Sequence, residues 1–324
     1  HTRLQGDWCS DVCSSDLYAD LSGTMQIGGT TNSYNPSGIV TNITHLGPMG
    51  ETIARYDYDF DSAWQIRQWT INGQPSIFDY DRTGQLTNAL NTAQPNENFR
   101  YDANGNREAS QSSGSYVVGG NNQILSDGTN SYTYDFEGNM ASRSNNVTGV
   151  ITAYQWDHRN RLMSVLDYNP GGVMTQTVAF VYDAMNRRLA KTVTGPQGTN
   201  VVRFLYNEDD SWADLDGDNA VTARYLHGPR IDELLARQRA SDGRGWYLTD
   251  HLGTLRDIAS ASGDIVTHLD YTSFGEVLSL SKIVEPDRFL FTAREFDADT
   301  GFYFFRARYY CGSTGYFINE DPIG

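Results

Sequence analysis

The sequence predicts an all-β protein in which repeated antiparallel β-hairpins join into a curved or spiral sheet. Three observations carry that expectation. Gly 31, Tyr 20, Phe 14 and Trp 6 are abundant among the 324 residues, while the helix former Lys stands only at Lys191 and Lys282. One phrase recurs five times: aromatic, any residue, aromatic, Asp, two residues, then Gly or Asn. Each phrase joins a strand end to a turn signal, so self-similarity and local chemistry point to the same unit.

The copies are Phe78-Asp79-Tyr80-Asp81 to Gly84, Phe99-Arg100-Tyr101-Asp102 to Gly105, Tyr132-Thr133-Tyr134-Asp135 to Gly138, Tyr154-Gln155-Trp156-Asp157 to Asn160, and Phe180-Val181-Tyr182-Asp183 to Asn186. A weaker relative occurs at Tyr56-Asp57-Tyr58-Asp59. The Asp positions step by 21, 33, 22 and 26 residues, so the unit is about 21 residues with insertions. Aromatics two apart share one face of a strand, and Asp79, Arg100, Thr133 and Gln155 take the other; Val181 is the apolar exception. Asp at the strand end folds its carboxylate onto turn amides, and Gly or Asn three residues later accepts the positive φ that closes the turn. The chain then returns through Gln85-Leu86, Asn106-Arg107, Asn139-Met140, Arg161-Leu162 and Arg188-Leu189. One such hairpin is marginal in water, so neighbours must share the aromatic face as a modular wall. In this reading the repeat Tyr, Trp and Asp residues are structural.

Composition bounds the function. A net charge of −16 argues against nucleic acid as the main partner, since phosphate binding needs a basic surface. No run of 18 apolar residues exists, so no membrane-spanning helix is expected. Asp7 to Leu17 resembles, at all positions but Cys9, a translated sequencing adapter, and residues 1–17 are read as a non-native segment. Setting it aside leaves Cys311 alone, which supports no disulfide framework.

The repeats resemble the tyrosine-aspartate (YD) repeats of the RHS family, and the C-terminal third strengthens the likeness. Trp246-Tyr247-Leu248-Thr249-Asp250-His251-Leu252-Gly253-Thr254-Leu255-Arg256-Asp257 and Asp270-Tyr271-Thr272-Ser273-Phe274-Gly275-Glu276 resemble the start of the RHS repeat-associated core. Arg288-Phe289-Leu290-Phe291-Thr292-Ala293-Arg294-Glu295-Phe296-Asp297, then Thr300 to Tyr310 and Gly315 to Gly324, continue it. The resemblance divides the chain into a repeat wall over 18–245 and an associated core over 246–324. It implies a spiral sheet that closes as a hollow shell, with the core plugging one end. It further implies a bacterial polymorphic toxin, secreted or displayed on the cell surface, whose C-terminal toxin cargo is enclosed, cut free by an aspartic-protease-like activity, and passed to a delivery machinery. Departures stand at Ala293, where the family has Gly, at Cys311-Gly312, where it has Asp-Pro, and at Tyr316, where it has Arg.

Candidate chemistry is sparse. Aspartic-protease catalysis needs two carboxylates around one water, and Asp321 in the terminal Asp-Pro-Ile-Gly is the candidate carried over from the family; a missing Asp at Cys311 makes autoproteolysis an expectation for the full-length protein only. Asp214 to Asn219 fails the calcium-loop template, because Gly217 is fourth and Tyr225 stands where a bidentate Glu belongs, so a hairpin turn between Trp212 and Val221 is expected. Asp250-His251 and Asp157-His158 point to opposite strand faces and lack a nucleophile elbow. Ile231 to Ala240 reads as a short helix or a strand. No cofactor and no metal are expected. A rival reading is an adhesion or glycan-binding surface protein whose Tyr and Trp rings form an exposed strip.

Overall fold

The computed structural model describes residues 12–18, 26–230, 232–281 and 287–321. These residues form a nine-stranded sheet over 12–110, a sixteen-stranded sheet over 117–281 and a four-stranded sheet over 295–317, with two single-turn 3₁₀ helices, Gly120–Asn122 and Phe291–Ala293. Within each sheet every strand pairs antiparallel with its sequence neighbours, so each sheet is a meander and none closes on itself. Of the segment read as non-native, residues 1–11 lie outside the described residues, and the backbone of Val12–Tyr18 pairs with Gln26–Tyr34. The division expected at residue 246 falls inside strand Gly243–Thr249, and the sheet runs on without a break to Val277–Ser281. The segment left open between helix and strand resolves as strand Leu234–Arg239.

Thirteen turns among the described residues share one hydrogen-bond scheme, in which the first residue donates to the fifth and the fourth donates back to the first. They begin at Asn35, Gly47, Asp61, Asp81, Asp102, Asp135, Asp157, Asn169, Asp183, Asp216, Asp250, Ser260 and Thr272. At all the Asp and Asn starts, the side-chain oxygen accepts from the amides two and four residues on, as with Asp81 and Thr83 and Gln85 at 2.8 and 3.0 Å. The fourth residue has positive φ throughout, and it is Trp64, at φ 62°, where Gly or Asn stands in most others. This locates the weak first copy two residues later than the sequence places it: the turn Asp is Asp61, preceded by Tyr58-Asp59-Phe60. The Asp216 turn lies between Trp212 and Val221, as the failed calcium template implies.

The two aromatics of the phrase do different jobs. Phe78, Phe99, Tyr132, Tyr154 and Phe180 are 2–7% exposed, the residue between the pair is exposed each time, and the second aromatic is half-buried. A register shift falls just before that second aromatic in every copy, as between Asp79 and Tyr80. Such bulges add twist and bend the strand, which gives the wall its curvature. The polar tip of the second aromatic then reaches the carbonyl that opens the return strand of the preceding hairpin: Tyr80 to Ile66, Tyr134 to Ile124, Trp156 to Met140, Tyr182 to Leu162, at 2.7–2.9 Å. Phe60, in the second position of the copy that ends at Asp61, has no polar tip to make this tie.

The return strands correct one register. Five residues past the turn Asp stand Leu86, Arg107, Met140, Leu162 and Arg188, and the last pair is therefore Arg187-Arg188, not Arg188-Leu189. Leu189 points outward, while the Arg188 guanidinium takes the core slot at 1% exposure. The reason is tertiary and lies in the four-stranded sheet.

Candidate functional site

The four-stranded sheet is a plug that packs on the ring-bearing side of the sixteen-stranded sheet. Phe302, Phe304, Tyr309, Cys311 and Ile318 pack with Tyr132, Tyr154, Leu162, Val178 and Phe180 of the sixteen-stranded sheet. Phe289, Leu290, Ala293 and Tyr303 pack with its later strands through Tyr225, Tyr247, Ile258 and Tyr271. Each fully buried ring contributes about 1.5–3 kcal/mol through area removed from water. Tyr132, Tyr154 and Phe180 thus face the plug, Phe99 meets Phe274 of the sixteen-stranded sheet and Phe78 meets Trp69 of its own, and none of these five rings is exposed.

Charge as well as apolar area fastens the plug. Arg188 pairs with Glu295 at 2.7 Å and Asp297 at 3.0 Å, and its guanidinium lies 5.0–5.2 Å from the ring centres of Phe180, Phe204 and Phe304. Lys191 joins Asp297 at 3.0 Å and Asp299 at 2.7 Å. In the opposite polarity, plug Arg288 reaches wall Asp214 at 3.0 Å, and Tyr225 donates to the same carboxylate at 2.7 Å. Asp287 is held by Arg237 at 2.9 Å and by the Tyr247 hydroxyl at 2.9 Å. Burial pushes the Glu295 carboxyl up, but Arg288 and Arg188 outweigh it and hold the group below its ordinary value. Burial wins at Asp214, which is raised despite Arg288.

Arg107, the other arginine in a return-strand core slot, makes the second wall-to-plug joint. Its Nη1 donates to the Thr314 carbonyl at 2.9 Å, its amide donates to the Tyr316 hydroxyl at 3.1 Å, and its guanidinium sits 4.8 and 4.3 Å from the centres of Phe99 and Phe274. The two slots that hold Arg instead of Leu or Met are therefore both slots that meet the plug. That substitution in an apolar pattern was the available sequence signal.

The departures from the family pattern have local readings. Ala293 adopts φ 56° and Thr292 φ 52°, left-handed positions where the Gly of the resemblance carries no Cβ cost. A Cβ at Gly312 would stand 2.8 Å from the Glu276 amide nitrogen, so the backbones approach too closely there for a side chain. Cys311 is buried in the plug core with Sγ 3.2 Å from Ser313 Oγ.

Asp321 lies exposed at the open end of the plug, in a cleft of about 230 Å3 whose lining includes Tyr134, Gly138, Arg308, Tyr316 and Glu320. Its carboxylate pairs with Arg308 at 3.0 Å, and that guanidinium stacks 3.7 Å from the Phe317 ring centre. The cleft brings a second carboxyl, Glu320, to the same mouth. The five repeat Asp residues, by contrast, are all engaged in their own turns.

A bent β-meander that packs its rings against a C-terminal plug of the same chain defines a scaffold of the shell type. The chain belongs to the teneurin YD-shell family, whose profile matches residues 26–322. Relatives include the double-stranded DNA deaminase toxin A of Burkholderia cenocepacia, 25% identical over 97% of this chain and 24% of that protein. The tRNA3(Ser)-specific nuclease WapA of Bacillus spizizenii is 27% identical over 91% and 12%, and toxin protein Tse5 of Pseudomonas aeruginosa is 23% identical over 82% and 25%. The chain thus spans a quarter or less of the length of these relatives. Among solved structures, the crystal structure of TcdB2-TccC3-TEV superposes with a TM-score of 0.52 at 14% identity, over 100% of this chain and 22% of that one, which establishes the common fold. No helix of the described residues is long and apolar enough to cross a membrane.

Proposed function

We propose that this chain is the plugged end of a hollow shell that encloses a C-terminal toxin and carries it out of the bacterial cell or to its surface. The observation that carries the reading is the plug itself: residues 287–321 seal the aromatic side of the wall with both rings and buried ion pairs. A sheet with one apolar and one polar face separates two environments without a substrate pocket, and the toxin relatives share the segment that builds it. In this reading the wall extends to about residue 245 by sequence pattern, the associated core begins at 246, and the chain beyond the plug is cargo. Cleavage downstream of Asp321 in the longer gene product belongs to the same proposal, with Asp321 and a second carboxyl acting on one water.

Limited proteolysis of the full-length gene product tests the shell. The region following the plug is expected to resist protease while the wall and plug are intact, and to be digested when Arg188→Ala and Arg107→Ala unfasten the plug. Digestion at the same rate in both proteins refutes enclosure. A denaturing gel of Asp321→Asn tests cleavage separately: a chain cut as in the parent removes Asp321 from the chemistry.

A further inference from the structure

The nine-stranded and sixteen-stranded sheets meet along a seam built from Ile43, Ala54, Tyr56 and Tyr58 on one side and Ala236, Trp246, Leu248 and Ala259 on the other. Two histidines sit in it, one from each sheet. His45, 4% exposed, places Nε2 3.0 Å from the Thr249 carbonyl across the seam and Nδ1 2.9 Å from the Thr30 hydroxyl of its own sheet. A carbonyl only accepts, so Nε2 carries a proton; the Thr30 hydroxyl can donate to Nδ1 or accept from it, and it is burial at 4% exposure that disfavours the charged ring. His251 donates its amide to the Tyr58 hydroxyl at 3.2 Å and lays its ring edge-on against Tyr58 at 4.4 Å between centres. Its Nδ1 is buried with no hydrogen-bond partner among the described residues.

We propose that this seam is an acid-sensitive latch, in which protonation of His45, seconded by His251, loosens the contact of the nine-stranded with the sixteen-stranded sheet along the seam while the plug joints, Arg107 included, hold. The latch is a property of the two sheets and holds whatever the shell encloses.

The charged surroundings determine the direction. Facing His45 are Tyr56 and Tyr58 from its own sheet, and Asp250, His251, Arg256, Asp257, His268 and Asp270 from the other; Glu51 and Asp264 sit on exposed turns at the end of the seam. Asp250 is taken by Arg256 at 2.9 Å, and Asp257 by Tyr56 at 2.9 Å and His268 at 2.6 Å. Burial lowers His45 to about 4, against the milder pull of the Thr249 carbonyl, Asp257 and Asp250, and burial lowers His251 as well. A ring that ionises near 6.5 when the seam is open and near 4 when it is shut binds more protons in the open form. Closure is therefore fully favoured above pH 6.5 and is lost as the pH falls from 6.5 to 4. From these two values the opening constant rises about thirtyfold between pH 8 and pH 5 through His45 alone.

His268 does not enter this balance. Its hydrogen bonds to Asp257 and Asp270, which raise it to about 10, are made within the sixteen-stranded sheet and are kept whether the seam is open or shut. The Arg188–Glu295 joint persists through the same acid range, since Glu295 is held below its ordinary value, and the Arg107 joint to the Thr314 carbonyl involves no group that titrates there.

Hydrogen–deuterium exchange of the full chain at pH 7.5 and 5.0, corrected for intrinsic rates, tests the latch. Residues 40–60 and 244–260 are expected to lose protection about thirtyfold at pH 5.0, while residues 295–311 keep theirs. His45→Gln, which keeps a donor for Thr249 but cannot titrate, is expected to reduce that loss to a few-fold. His251→Gln, which removes the second ring, is expected to shrink the loss in part and serves if the His45 variant fails to fold. Equal protection at both pH values, uniform loss that includes the plug, or an unchanged step in His45→Gln or in His251→Gln overturns the proposal.

Discussion

Replacing Arg188 with methionine removes the most buried cation that joins plug carboxylates to the wall, while keeping an unbranched side chain of similar reach. Glu295 then retains Arg288 at 3.2 Å and Asp297 retains Lys191 at 3.0 Å, so neither is left without a cation, but both lose their shortest or most buried one. Removing one partner of a buried pair costs about 3–5 kcal/mol, and three guanidinium–ring contacts add roughly 0.5–1 kcal/mol each before the methionine recovers apolar contact. We expect Arg188→Met to destabilise the chain by about 4 kcal/mol in urea unfolding at pH 7, with exchange protection lost first over residues 295–311. The pH dependence gives a second check. Glu295 is lowered in the folded state, so its stabilisation is present above about 4.5 and is lost as the pH falls through its folded value. The Arg188→Met deficit should therefore shrink in acid, and Glu295→Gln in the same chain should recover part of it. A loss below about 1 kcal/mol, or a double-mutant cycle with no coupling between Arg188 and Glu295, refutes the claim that charge fastens the plug.

Three further outcomes follow from the repeat geometry. Tyr182→Phe leaves the Leu162 carbonyl and the Tyr309 hydroxyl without the oxygen that stands 2.7 and 2.5 Å away, and should cost about 2 kcal/mol in thermal or urea unfolding. Asp250→Ala strips Oδ1 from the Leu252 and Thr254 amides and leaves buried Arg256 unpaired, so a loss of about 3–5 kcal/mol is expected, larger than at any exposed turn. Trp64→Gly relieves a left-handed residue whose side chain is exposed and should raise stability by about 1 kcal/mol; a neutral or negative shift would place the tryptophan in a role the turn does not explain.

The hairpin unit was legible because its rules act within a few residues. Alternation put Phe78 and Tyr80 on one face and Asp79 on the other, and the Asp side chain meets the amides expected of it. Further members of the turn series escaped notice because Asn35, Gly47, Ser260 and Thr272 satisfy the same backbone scheme without the aromatic phrase, and because Trp64 hides the Asp61 copy. The tie from the second aromatic of four copies to the preceding hairpin was also invisible, since it joins residues 10–20 apart whose spacing changes with each insertion.

The amino-acid order alone determined an antiparallel β-wall with an aromatic side, its turns, and its likeness to the RHS proteins, since period-two alternation and Asp-led turns are local properties of the chain. Only the assembled structure decided which arginines lie inside, where the sheets meet, and what covers the rings. Arg188 reads as a surface residue until Glu295, 107 positions away, comes within 2.7 Å of it. A charge can occupy a core only when its counter-charge and hydrogen bonds arrive with the fold, and no window of sequence contains both.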